Sequence, residues 1–207
     1  RLNMKSFRMK KLWKAISLSL CGILTAGIIA GCSSENTVDK TTLKFGVTNF
    51  ADTLEPTQNY FGWVVMRYAI GECLAKFDEK MNVQPWLAES WSISDDHLTW
   101  TFKIRDNVKF SNGNLVTAEA VKKSIERAFA KNTRAKTFFE YTEMKADGQN
   151  LIITTSKPQP NMPGFLADPL FIIVDVSAEE QGRDFAKEGP ICTGPYKVES
   201  FVKEKAV

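Results

Sequence analysis

An α+β fold made mostly of antiparallel hairpins is what this chain of 207 residues predicts. Two stretches, "SWSISDDHLTWTFKIRDNVKF" and "TEMKADGQNLIITTSKP", alternate apolar and polar residues on either side of a short polar turn, the pattern of paired antiparallel strands. Between them "TAEAVKKSIERAFA" spaces its apolar residues for one face of a helix. Hairpins interleaved with a few helices, with no internal repeat, argue for segregated α and β elements.

The first 31 residues read as a signal peptide. "RLNMKSFRMKKLWK" carries six Lys or Arg and no acid, and about sixteen mostly apolar residues follow from Ala15 to Ala30. A spanning helix needs about 20, whereas a signal core needs roughly 7 to 15. Ser17, Ser19, Gly22, Thr25 and Gly27 interrupt the run, and Ala30 and Gly31 place small residues before Cys32, as cleavage requires. An uncleaved anchor is the alternative. Either way the positive flank stays inside and the remainder lies outside the cytoplasm. The polar stretch "SSENTVDKTT" makes 32–41 a flexible stalk, and 42–207 form a single folded region.

"TLKFGVTNF" alternates as a first strand. After the loop "ADTLEPTQNYFG", apolar Val64, Val65, Tyr68 and Ala69 predict a short helix over 63–74. "LAKFDEKMNVQPW" gives a strand, a polar turn at 78–82 and a turn led by Pro85. In the first hairpin Trp91 and Ile93 face Leu98, Trp100, Phe102 and Ile104 across Asp95-Asp96-His97, so one face must be covered. Ser111-Asn112-Gly113 is a turn. Thr117 caps the helix that follows, with Glu119 in its first turn and Val121, Ile125, Ala128 and Phe129 along one face. The second hairpin turns at Asp147-Gly148. "PNMPGFLADP" predicts a turn or short helix, "LFIIVDV" a buried strand, and "SAEEQGRDFAKEG" a helix capped by Ser177. A strand closes the chain after "PICTGPY". The chain opens at Arg1, with Met4 and Met9 as candidate starts, and stops within that strand, so both ends read as edges of a fragment.

Charge and cysteine content exclude some functions. The whole chain has a formal charge of +3, but without the signal's six cations it has 21 Lys+Arg against 24 Asp+Glu. A nucleic-acid partner is therefore not supported. About 176 residues remain after the signal, enough for a real core. Cys21 and Cys32 belong to the signal and its edge. Cys73 and Cys192 are left, either free and buried or joined by one long-range bridge.

No catalytic constellation is present. His97, the only histidine, falls in a hairpin turn, where solvated histidines are ordinary. No residues show metal-ligand spacing, no glycine loop could cradle phosphate, and Asp95 and Asp96 are turn acids. Binding chemistry is better represented. "NYFGWVVMRY" puts Tyr60, Trp63 and Arg67 at a loop-to-helix junction, the last two four residues apart and so on one face. Rings give apolar area and a guanidinium forks onto a carboxylate, which suits a partly apolar acid. Core aromatics beside a surface arginine would give the same pattern. Arg134, just past the Thr117 helix, has the same two readings.

Two resemblances add to this. Ile29-Ala30-Gly31-Cys32 resembles the bacterial lipoprotein lipobox, which implies a diacylglyceryl group on Cys32 and, with two or more acyl chains, a durable membrane tether. "QPWLAESWSISDDHLTWTFKIRDNVKFSNG", the "TAEAVKKSIERA" helix and "TGPYKVESF" together resemble the family 5 solute-binding proteins of peptide and nickel ABC importers. This implies the first lobe of a two-lobed, periplasmic-binding-protein-like (type II) fold, stopping before its second lobe. It also implies a non-enzyme without cofactor, delivering a peptide or nickel chelate from an inter-lobe cleft to permease and ATPase subunits. A sensory or adhesive surface lipoprotein is the other function class. Arg134 falls where nickel-type members carry a chelate-binding arginine, although the aromatic they place three residues on is here Thr137. Cys192 stands where the family usually has glycine, which predicts strain if φ must be positive there. The expected ligand contacts are Tyr60, Trp63, Arg67 and Arg134.

Overall fold

The computed structural model describes residues 42–48 and 51–203. The signal segment 1–31, Cys32 and the stalk 32–41 lie outside them. Its elements are α1 (Gly62–Arg67), β1 (Ala75–Phe77), β2 (Val83–Pro85), β3 (Ala88–Ile93), β4 (Thr99–Ile104), α2 (Ala118–Lys131), α3 (Ala135–Phe138), β5 (Glu143–Asp147), β6 (Asn150–Thr154), α4 (Met162–Phe165), a 3-10 turn (Pro169–Phe171), α5 (Val176–Glu180) and α6 (Phe185–Glu188). Both hairpins join one antiparallel sheet in the order β3-β4-β6-β5, and β1 and β2 form a separate two-stranded ribbon.

The alternation in β4 decides which face of the sheet is covered. Trp100, Phe102 and Ile104 are buried, as are Leu151 and Ile153 of β6 and Met144 of β5. Helix α2 packs across β5 and β6 and adds Val121, Ile125 and Ala128 to the same cluster. Burying each large side chain contributes roughly 1.5–3 kcal/mol. Thr117 caps α2 as its sequence predicts, its Oγ1 accepting the Ala120 N–H at 3.1 Å. Another side of α2 is buried too: the Ser124 hydroxyl donates to the Ile172 carbonyl and accepts the Val174 N–H at 2.9 Å. A second apolar cluster contains Leu54, Val65, Ile70, Cys73, Ile172, Val174, Phe185 and Cys192.

Several expectations change. Residues 42–47 form no strand, because alternation supplies a face but no neighbouring ladder. The helix predicted over 63–74 ends at Arg67, since Ala69 takes a left-handed φ of 53°. There the Ala69 N–H reaches the Met66 carbonyl and the Ile70 N–H reaches that of Val65, a helix stop in which glycine is usual. The second hairpin pairs Asp147 with Asn150, so its turn centres on Gly148 and Gln149, one residue later than expected. Residues 172–174 are buried and extended, yet they lie on Ser124 and the Glu72 carbonyl and form no strand. The cap of α5 is Asp175, whose carboxylate accepts the Ser177 N–H at 3.0 Å. The segment after "TGPY" forms no extended strand within the described residues and reaches only an isolated bridge at Val202.

Cys73 and Cys192 are both free and buried. Burial pushes both thiols up, with nearby carboxylates adding to the effect at Cys73. The strain expected at Cys192 is absent, because its φ is not positive. His97, by contrast, has φ 58°, the conformation that favours glycine in such a turn.

Candidate functional site

The loop before α1 is held against α2 by two sets of bonds. Arg127 donates through Nη1 and Nη2 to the two Glu55 oxygens at 2.9 and 2.6 Å, and through Nε and Nη2 to Glu179, which also accepts from Lys131. Burial pushes Glu55 up, but Arg127 and bonds from Thr57 outweigh it and hold this carboxyl below its usual range. The Arg127 bond lowers Glu179 to about 2 against the opposing effect of burial, with help from Lys131. Five residues beyond Arg127, Asn132 ends α2 and donates to the Thr57 carbonyl at 2.7 Å, while its own Oδ1 accepts the Arg134 N–H at 2.9 Å. These contacts fix Tyr60 and Arg134 relative to one another.

The Arg134 guanidinium lies 4.9 Å from the Tyr60 ring centroid and 5.3 Å from that of Phe138, so two rings hold it. Its one ionic contact among the described residues is long: Nη2 to Asp168 Oδ1 at 3.4 Å. That oxygen already accepts the Leu170 N–H at 2.8 Å. Arg134 Nε is buried and has no hydrogen-bond partner. A buried donor left unmade costs about 1–3 kcal/mol. This arginine is thus incompletely satisfied, its charge met by one carboxylate oxygen at 3.4 Å and its Nε left without a partner.

Of the four expected contact residues, Tyr60 and Arg134 are brought together. Trp63 and Arg67 are exposed on α1, on the face that follows from Tyr60 at helical spacing. Tyr60 is 65% and Trp63 51% exposed, so both rings offer area to another molecule. Phe138 and Asp168 were missing from the sequence reading. Phe138 could have been found, since it is four residues from Arg134. Thr137, where an aromatic was looked for, instead turns its hydroxyl back to the Arg134 carbonyl at 2.7 Å.

A cavity of about 220 Å³ lies elsewhere, lined by residues such as Phe110, Leu115, Thr117, Lys123 and Asp175, and includes none of the four. Asp175 there is saturated by Asn112, Asn114 and Ser177. Among the described residues no group of three or more His, Cys, Asp or Glu could hold a metal ion.

Known proteins share this architecture. The sequence profile described as Bacterial extracellular solute-binding proteins, family 5 Middle, matches residues 82–207. The nickel-binding protein NikA of Staphylococcus aureus is 27% identical over 180 residues, 87% of this chain and 35% of NikA. The glutathione-binding protein GsiB of Escherichia coli is 32% identical over 138 residues, 62% of this chain and 27% of GsiB. Among solved structures, a nickel ABC transporter protein from Bacillus halodurans superimposes with a TM-score of 0.68 at 37% identity, over 75% of this chain and 31% of that one. NikA of Staphylococcus aureus in complex with Ni(L-His)2 gives 0.67 at 28% identity, over 74% and 31%. The chain therefore spans about a third of the length of the relatives it matches. These relatives are solute-binding components of transporters, and the antiparallel α+β architecture corresponds to part of their two-lobed fold. The chain belongs to the bacterial extracellular solute-binding proteins of family 5.

Proposed function

We propose that this chain is the first lobe of an extracytoplasmic receptor that captures a small carboxylate-bearing solute, foremost a nickel chelate, and passes it to an ABC permease. The carrying observation is Arg134: a cation held by Tyr60 and Phe138, met by a single long contact to Asp168 with its buried Nε unpartnered, beside the exposed Tyr60 and Trp63 rings. A guanidinium in that state gains most from a ligand carboxylate. The likeness to NikA of Staphylococcus aureus, solved in complex with Ni(L-His)2, favours nickel arriving already chelated. Ligand contact with both lobes would draw them together, because only the closed state offers all the contacts. The likeness to GsiB favours a second reading, in which the same cation and rings take a peptide such as glutathione.

Calorimetry on the protein carrying both lobes separates the two. Nickel with L-histidine should bind more tightly than glutathione or di- to pentapeptides. Tight peptide binding with no response to nickel-histidine would overturn the chelate reading. For the address, a lipid on Cys32 would tether the receptor to the outer face of the membrane. Metabolic lipid labelling should vanish in Cys32→Ser, and labelling that persists there would refute the lipobox assignment.

A further inference from the structure

We infer that Tyr196, on the "TGPY" segment, is a further specificity-determining residue of the proposed binding surface, supplying a third aromatic face to a flat or apolar part of the solute. This inference rests on the proposed binding role of the Tyr60–Arg134 region.

The segment is held against the end of α1 by main-chain bonds. The Gly194 N–H donates to the Ile70 carbonyl at 2.9 Å and the Tyr196 N–H to the Ala69 carbonyl at 3.3 Å. The approach leaves no room for a side chain, since a Cβ on Gly194 would stand 2.3 Å from the Ala69 oxygen and 2.6 Å from that of Ile70. Beside this lock, the Thr193 hydroxyl donates to Glu72 Oε2 at 2.6 Å, while Glu72 Oε1 accepts from the Trp86 indole at 2.9 Å. Ala69 pays for the same crossing with its left-handed backbone.

So rigid a mounting carries a ring that packs little against its own lobe. Tyr196 is 60% exposed. The exposed aromatic residues among those described are Phe45, Tyr60, Trp63, Phe77 and Tyr196, of which Tyr60, Trp63 and Tyr196 flank α1 or its end. Arg67, two residues before the carbonyl that accepts the Tyr196 N–H, is exposed as well. Rings presented by fixed backbone lose little entropy on binding and are frequent anchors at recognition surfaces.

The test uses the protein carrying both lobes, titrated with nickel plus L-histidine and separately with glutathione, as wild type, Tyr196→Phe, Tyr196→Leu and Tyr196→Ala. Tyr196→Phe should bind the preferred probe like wild type, Tyr196→Leu several-fold more weakly, and Tyr196→Ala about tenfold more weakly, with ligand-free melting temperatures unchanged. Wild-type binding with equal affinity in Tyr196→Leu, or an affinity loss matched by a lower ligand-free melting temperature, would overturn the inference and leave the proposed function standing. If wild type bound neither probe, the binding reading itself would fall and this inference with it. Tyr196→Leu keeps the test decisive should Tyr196→Ala fail to fold.

Discussion

Arg127 and Arg134, seven residues apart, occupy opposite electrostatic situations. Arg127 is buried, grips both oxygens of Glu55 and reaches Glu179, and lies 4.9 Å from the Phe185 ring. Burial pushes its pKa down, but the bonds to Glu179 and Glu55 outweigh that and raise it, so it remains charged throughout. Arg134 has rings where Arg127 has carboxylates, one 3.4 Å ionic contact and a buried Nε without a partner. The first is an arginine whose bonding the lobe completes. The second is one whose bonding the lobe leaves open. Completed charge organises the fold, and open charge is what a ligand can use.

The largest effect that separates the two is on stability. Arg127→Ala leaves Glu55 buried without its partner, which should cost about 3–5 kcal/mol, whereas Arg134→Ala should cost under about 1 kcal/mol because it also removes an unmade donor. Urea unfolding of both variants checks this. Equal midpoint shifts would erase the distinction.

Gly194→Ala should come next, at about 1–3 kcal/mol, since the added Cβ meets main-chain oxygens that cannot rotate away. Thermal unfolding of that variant shows whether the platform behind α1 is as fixed as the Arg127 network. A wild-type melting temperature would show that the crossing yields.

Acid should act on the Arg127 side. Glu179 is depressed from 4.5 to about 2, and Glu55 is also lowered. A carboxylate with a depressed folded pKa contributes stability that is fully present above its unfolded value and lost as pH falls through the folded one. Stability should therefore decline from about pH 4.5 toward pH 2, and the decline should be shallower in Glu179→Gln. An identical pH profile in that variant would remove Glu179 from the network's energetics. The smallest effect should be a gain: Ala69→Gly relieves a left-handed alanine and should stabilise by up to about 1 kcal/mol, visible as a higher melting temperature.

The parts of this fold that sequence made legible are those whose partners lie close along the chain. β3 and β4 pair across five residues, and their alternation names the buried face before any partner is known. α2 announces its start through Thr117 and its buried face through Val121, Ile125 and Ala128. The segment 172–174 was legible as buried but not in its pairing, because a serine hydroxyl fifty residues away replaces part of a strand ladder. Arg127 was invisible for a related reason. In "KKSIERAFAK" it looks like its charged neighbours, and Glu55 and Glu179 are 72 and 52 residues distant. Arg134 was singled out by its position relative to related sequences, and Phe138 by nothing but an unused four-residue spacing. What joins them to Tyr60 is Asn132, an ordinary helix-ending residue until its bond to Thr57 is known.

The central claim is that Arg134 is held ready for a ligand rather than for the fold. Calorimetric titration of the two-lobed protein with nickel plus L-histidine, in wild type and Arg134→Ala, tests it most directly. The account predicts an affinity at least about tenfold weaker in the variant, corresponding to about 1.4 kcal/mol, with ligand-free stability lowered by less than about 1 kcal/mol. Undiminished nickel-histidine affinity in Arg134→Ala would contradict it.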